Sequence, residues 1–499
     1  MSTLSIRSRA NDAIPALLTL AIGIGFAAWL IWLQPRPYEY PDTDLEQTYY
    51  SASRQAALGQ RVWFCTHPGT PVAYAGGWLM RFTGTELERT QTFLNRVYVG
   101  NILLWVVALL VFDRLVLRRM PAALRCAGLL VASASPAVPR YLGQFGADPV
   151  LLSLCLIVVS LAWRAAERPS PLRWGLLGLV AGLTCAVKLS AGPLALAVAM
   201  ALTCHAAFAG GRPGPRLLAL GLLAAGIGLG FAVGTGPQFE QMGSVLAFNS
   251  SRDIVKTGWL APLRLVRGFG GGLLHFSGGW VALLLFAGAG TGWASLRWLR
   301  HYGTASHPTR AEGLAKLVLP AACAAAAAWI ASKANLRFDP ATDLRQAIPV
   351  ATAFNLALPL AWWMSDPASP GLRRLLAGVV PAGAVIALVW TTLVFSSERR
   401  AFLDQCREAE ASATRLCARI RPPGGRVLVW DGPNSKRFGK AHFHLWASHF
   451  YAQNQHNREV LEAFPDLGLI GPLALTFHFF EVAPPPPVKH PRSRFGPLG

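Results

Sequence analysis

Negative charge is scarce in this 499-residue chain: Asp and Glu number 25 against 46 Lys and Arg, and all charged residues together make up 14%. Soluble domains carry about 25%, so an ordinary water-soluble fold is excluded. Eight cysteines are present, yet no Cys-x-x-Cys pair occurs, which removes a zinc ribbon and a dithiol redox motif. Cys126, Cys155, Cys185, Cys204 and Cys323 lie in or beside apolar segments and read as packing residues. Cys65, Cys406 and Cys417 lie in polar parts. On one continuous helix Cys406 and Cys417 would stand ~16 Å apart along the axis, so they could pair only if that helix breaks. No internal repeat stands out, which disfavours the secondary-transporter folds.

What the chain has is long apolar runs. It is 53% hydrophobic, in blocks of roughly 17–25 residues, the length that crosses a bilayer core. Eleven spans are expected at about 13–33, 97–117, 124–141, 149–165, 172–187, 190–208, 216–236, 278–297, 316–334, 346–364 and 375–396. Each must be helical, because lipid satisfies no backbone polar group. The first run is about 21 residues, longer than a signal-peptide core, and reads as an uncleaved span. Gly175, Gly178 and Gly182, and Gly226, Gly228 and Gly230, lie inside apolar segments. There they read as close helix contacts and not as nucleotide loops.

The net charge of +21 would suit a nucleic acid, but basic residues flanking membrane spans have a simpler cause. Arg7/Arg9, Arg114/Arg118/Arg119/Arg125, Arg164/Arg168/Arg173, Arg212/Arg216, Arg297/Arg300/Arg310/Lys316 and Arg373/Arg374 fall on alternate sides of the spans. That side is expected to be cytoplasmic, with the N-terminus, in a bacterial inner membrane. An odd number of spans then leaves the C-terminal part in the periplasm. Arg54, Arg61, Arg140, Arg252, Lys256, Arg264, Arg267, Arg337 and Arg345 sit in outer loops, where the orientation rule does not explain them. They read either as partners of local acids and lipid headgroups or as a site for an anionic ligand.

The expected architecture is an all-α polytopic membrane module over residues 1–397, with a first outer loop at 34–96. A small α/β domain follows at 398–483, then a proline-rich, disordered tail at 484–499. Within the small domain, "DQCREAEASATRLCARIR" has a helical charge pattern, while "GGRVLVWDG" and "LALTFHFFEV" read as strands. His442, His444, His449 and His456 share no helix face and have no nearby Cys, so core packing is a better reading than zinc.

The first outer loop opens with "PYEYPDTDLEQTYYSASRQ", which places Glu39, Asp42, Asp44 and Glu46 directly after the first span. Asp42 and Asp44 bracket Thr43; such a pair can hold a divalent cation or supply a general base. Then follows "FCTHPGTPVAYAGGWL", with a His-Pro step at His67. An acidic motif after span one, then His-Pro, resembles the first outer loop of the GT-C glycosyltransferases. These are membrane enzymes that use polyprenyl-phosphate sugars, such as protein O-mannosyltransferases and aminoarabinose transferases. Three further segments agree in order and sidedness. "SPAVPRYLGQFGADPVLLSLCLIVVSLAWRA" is similar to the family's third-to-fourth span connection, with Asp148-Pro149 opening the fourth. "GLLGLVAGLTCAVKLSAGPLALAV" resembles the fifth and sixth spans, with Ala186 and Val187 intervening before Lys188. "DLRQAIPVATAFNLALPLAW" is similar to a late span opened by Arg345 and Pro349. The family's adjacent Asp-Glu pair is absent, and its His-Pro-Pro reads His67-Pro68-Gly69, so no subfamily follows.

The resemblance implies transfer of a sugar from a polyprenyl-phosphate donor to an acceptor hydroxyl at the periplasmic face. The acceptor is a glycan, a glycolipid or a protein. Asp44, then Asp42, then Glu46 compete for the general base. Arg345, Lys188 and Arg337, with Arg140 and Arg267 behind them, are candidates for the donor phosphate. His67 either touches the sugar or shapes a turn around Pro68. Asp148 either orients the acceptor or caps its helix. No cofactor is required; a divalent metal, Mg or Mn, on Asp42 and Asp44 stays open. Membrane lipids are partners and nucleic acid is not. The competing reading is a transporter, flippase or ligase of lipid-linked glycans. A transporter would be expected to carry ionisable groups near mid-span, and these spans carry almost none.

Overall fold

Hydropathy sets where the helices lie, and proline sets where one of them breaks. The computed structural model describes residues 3–36, 44–60, 62, 69–86, 89–210, 212–236, 311–322, 348, 352, 355–364, 370–420, 429–431, 468–469 and 478–481. The described residues are mostly helical: α1 Thr3–Ala27, extended by a π-helical turn Ala28–Leu33, α2 Asp44–Ala57, α3 Thr70–Thr83, α4 Thr90–Leu115, α5 Ala122–Ser133, α6 Ala137–Tyr141, α7 Ala147–Glu167, α8 Pro171–Val187, α9 Gly192–Phe208 and α10 Pro213–Thr235. A helix over 311–322, here α11, follows, then α12 Ala357–Met364 and α13 Pro370–Ile420.

Among the described residues, six helical stretches are long and apolar enough to cross a membrane: Asp12–Leu33, Thr90–Leu115, Ala147–Glu167, Leu189–Phe208, Pro213–Thr235 and Arg373–Asp404. Ala122–Ser133 and Pro171–Val187 are apolar but shorter. The span expected at 124–141 is therefore corrected to two pieces. Pro136 has no N–H to donate, and its ring would clash with a carbonyl one turn back; α5 accordingly ends at Ser133, and Ala134 closes it. The carbonyl of Ala134 accepts a hydrogen bond from Thr391 Oγ1 of α13 at 3.1 Å. The expected span 278–297, and most of those at 316–334 and 346–364, lie outside the described residues.

The described residues form two compact units. The first takes in Met1–Trp29, Phe64–Val72 and Tyr98–Ser396; the second, Leu30–Trp63, Ala73–Val97 and Ser397–Gly499. In the first unit, α8 and α10 touch backbone to backbone. A Cβ at Gly178 or Gly182 would run into the carbonyls of Leu223 or Ile227, and one at Gly226 or Gly230 into those of Gly175 or Leu179. Partner numbers rise together, so the two helices run parallel, with α9 returning between them in sequence. Gly228 faces open space and takes no part. Ser170 begins α8 by accepting a hydrogen bond from the Arg173 amide, and Pro171 fills the first helical position, a pairing favoured at helix starts.

In the second unit the expected outer loop 34–96 is itself largely helical. From Glu46 through Ala56 every residue of α2 is buried, although Glu46, Gln47, Thr48, Ser51, Ser53, Arg54 and Gln55 are polar. The α2–α3 contact is close enough that a Cβ at Gly77 would meet the Ser53 carbonyl. Arg81 closes the end of α2, donating to the carbonyls of Ala56 and Ala57 at 3.2 Å each. Tyr50 of α2 shares a 2.9 Å hydroxyl bond with Thr90 and stands edge-on to Phe93.

The long helix α13 runs 51 residues without interruption, across the boundary expected at 397/398. Cys406 and Cys417 both lie on it, ~16 Å apart along its axis. In the two stretches expected as strands, Val429–Asp431 (β1) and His478–Glu481 (β3) pair antiparallel, with Val429 opposite Phe480. Gly468–Leu469 (β2) adds on the other side of β3.

Candidate functional site

Helix α7 carries a charge cluster at each end. At its start, Asp148 lies in the first turn, where a carboxylate is favoured by the helix dipole. The cap itself is Gly146 and uses no side chain. The capping alternative for Asp148 is therefore corrected: its Oδ1 accepts from Lys188 Nζ at 2.5 Å, with both side chains buried. Lys188 arrives there because α8 ends at Val187 and the backbone turns extended at Lys188, before the 3-10 turn Leu189–Ala191. Two residues named separately in the sequence, one for the acceptor and one for the donor phosphate, are thus joined.

The segment leading into Asp148 is enclosed as well. Asn101 of α4 donates its amide to the carbonyls of Leu142 and Gln144 at 3.3 and 2.8 Å. These bonds satisfy backbone acceptors that a buried loop would otherwise leave unpaired. Arg140, on α6, is half-buried.

At the other end of α7, Glu167 is nearly inaccessible, with 2% of its side chain exposed. It meets Arg164 at 2.9 Å, Lys316 at 3.2 Å, Arg118 at 3.3 Å and Arg119 at 3.7 Å. Trp163 Nε1 adds a 3.2 Å hydrogen bond. Lys316 also holds Glu312 at 2.7 Å and lies over the rings of Trp163 and Trp363. A second network joins the same ends of α1, α4 and α5. Arg125 forks onto Asp113 at 2.8 and 2.6 Å and reaches Asp12 at 2.6 Å. Asp148 and Glu167 are separated by nineteen residues of helix, ~28 Å of rise and close to the ~30 Å of a hydrocarbon core. The two clusters therefore stand at opposite ends of α7, about a hydrocarbon thickness apart. Of the basic residues assigned to one side by sequence, Arg114, Arg118, Arg119, Arg125, Arg164 and Lys316 take part in these two networks; Arg297, Arg300 and Arg310 lie outside the described residues.

In the second unit, Glu46 is 1% exposed and is grasped by Arg36, whose Nη2 lies 2.5 and 2.6 Å from its two oxygens. Among the base candidates Glu46 is thus committed to a cation. Arg36 was not a sequence candidate; a lone Arg after a span carries no motif. Gln47 is the other residue missed. It is buried on α2, one turn after Asp44, and its Nε2 has no hydrogen-bond partner among the described residues. Asp44 is the first residue of α2. Asp42, His67, Arg267, Arg337 and Arg345 lie outside the described residues. Among the described residues no group of three His, Cys, Asp or Glu is placed to hold a metal.

No protein-family model matches this chain, and no curated protein does. Solved structures similar to it are those of an Archaeoglobus fulgidus oligosaccharyltransferase. The apo form is 13% identical, covering 77% of this chain and 56% of that one, with a TM-score of 0.47. The complex with Zn and sulfate is 17% identical over 75% and 53%, with a TM-score of 0.38. The form tethered to an acceptor peptide containing the NVT sequon is 15% identical over 77% and 55%, with a TM-score of 0.41. The chain spans little more than half the length of these proteins, and a likeness of this degree assigns it neither a fold family nor an activity.

Proposed function

We propose that this chain is an integral-membrane glycosyltransferase of the GT-C kind, which moves a sugar from a polyprenyl-phosphate donor to an acceptor hydroxyl at the periplasmic face. The observation that carries the reading is the buried contact between Asp148 and Lys188, because the order of motifs along the chain had named both residues without naming their contact. Charge distribution supports an enzyme over a transporter: in the six candidate spans, ionisable side chains stand near the helix ends, whereas carriers place them at mid-span.

The chemistry assigns the parts as follows. Asp44, or Asp42, takes the proton from the acceptor hydroxyl as its oxygen attacks the anomeric carbon, a contribution of about 10²–10⁴ in rate. The sugar–phosphate bond breaks and the charge on the departing phosphate is met by Arg345 and Arg337. Lys188 shares its charge with Asp148, so it fixes that end of α7 and α8 and meets the phosphate as part of a pair. Glu46, held by Arg36, orients the start of α2 and with it Asp44.

The test is transfer from polyprenyl-phosphate sugars in nanodiscs, with membrane extract as acceptor and EDTA as a second condition. The variants are Asp44→Asn and Asp42→Asn. Loss of transfer in one folded variant identifies the base, and loss with EDTA adds a metal. Full activity in both variants removes the carboxylates from the chemistry. No transfer from any donor by the wild type overturns the proposal.

A further inference from the structure

The two ion networks at the Glu167 end of the helices differ in one respect: only one of them is electrically closed. Arg125 and Arg114 face Asp113 and Asp12, two cations to two carboxylates. Among the described residues, the cations Arg118, Arg119, Arg164 and Lys316 around Glu167 face Glu167 and Glu312 alone. Counted over those residues, this second network carries two positive charges in excess. Arg168 lies close enough to act on Arg118 electrostatically and adds to them.

The excess is not simply dissolved in water. Arg118 Nε is enclosed and has no acceptor among the described residues. Burial, then the like charge of Arg164, draws the Arg118 guanidinium below its ordinary value. A cationic, partly enclosed set with a missing acceptor calls for an anion. Its place decides which anion. It lies where α7 ends and α8 begins, one hydrocarbon thickness from Asp148, at the level of lipid headgroups. Arg119 opens it to the outside with 51% of its side chain exposed. Basic pockets between membrane helices recognise lipid phosphate in this way.

We infer that Arg118, Arg119 and Arg164, arranged on Glu167, form a seat for the phosphate of an anionic phospholipid. The seat is distinct from the donor site, which is proposed for the opposite face. The accessible parts of the Arg118 and Arg119 guanidiniums donate to the phosphate oxygens; Glu167 keeps the guanidiniums apart and aligned.

The neighbouring closed network supplies a matched control. Arg119 and Arg114 are 51% and 54% exposed, lie at the same membrane face, and lose one charge each in Arg119→Gln and Arg114→Gln. The probe is phosphatidylglycerol titrated into the purified full chain in neutral detergent, with bound lipid counted by native mass spectrometry. Phosphatidylcholine and glycerol 3-phosphate are the comparison arms. Arg119→Gln is expected to weaken the tightest phosphatidylglycerol binding about fivefold, and Arg118→Gln/Arg119→Gln about twenty-five-fold, with Arg114→Gln within twofold of wild type. Equal losses in Arg119→Gln and Arg114→Gln would reduce the effect to general surface charge and overturn the seat. So would unchanged binding in the double variant, or glycerol 3-phosphate occupying the site as tightly as the lipid. Sugar transfer is not part of the readout, so failure here leaves the glycosyltransferase proposal standing.

Discussion

The start and the end of α7 handle buried charge in opposite ways. Asp148 at the start meets Lys188, a pairing in which either residue alone would be a charge in a low-dielectric place. Glu167 at the end is surrounded by four cations, so losing any one of them leaves the carboxylate still compensated. The first arrangement is brittle and specific; the second is redundant. Brittleness is what a reacting site tolerates, because its residues must be in one place. Redundancy suits a helix end that anchors in headgroups.

The sharpest way to break the contrast is Lys188→Met. It takes the cation away from the buried Asp148 and is expected to cost about 3–5 kcal/mol, measured as lost thermal stability in detergent. Adding Asp148→Asn should recover most of that loss while sugar transfer remains low. Recovery of both would make the pair purely structural. Arg36→Met, which takes the cation away from the buried Glu46, belongs to the same class, with an expected loss of about 3 kcal/mol. Recovery on adding Glu46→Gln is the check, and failure to recover would mean Arg36 has a further role. A smaller effect is expected from Arg164→Gln. With three cations left on Glu167 it should cost about 1–2 kcal/mol, and a loss as large as that of Lys188→Met would erase the distinction between the two ends. Smallest is Arg114→Gln, an exposed pair member, at about 0–1 kcal/mol by the same melting measurement.

Much of the helical layout was legible because hydropathy and helix period are local signals. The break after Ser133 is hidden from hydropathy, because the apolar run continues across Pro136 and Pro139. Asp148 and Lys188 were each legible from motifs, but not their contact, which joins residues forty apart. The networks at the other face were legible only as flanking charge. Arg125 reaches Asp12 across 113 positions and Lys316 reaches Glu167 across 149, distances that no local pattern encodes. Arg36 and Gln47 gave no signal, since burial of a polar helix such as α2 follows from what packs on it and not from its own sequence.

Helix α8 is 17 residues long, ~26 Å, a few Å short of a ~30 Å hydrocarbon core. Its glycines hold it against α10, whose 23 residues reach ~35 Å. Lipid beside the short helix must thin to match it, at a fraction of a kcal/mol per Å. Since α8 ends at the residue before Lys188, such thinning would bring the polar zone of the bilayer towards that lysine. In the proposed reaction, a lipid-linked phosphate would then meet the pair of charges without being lifted out of the membrane.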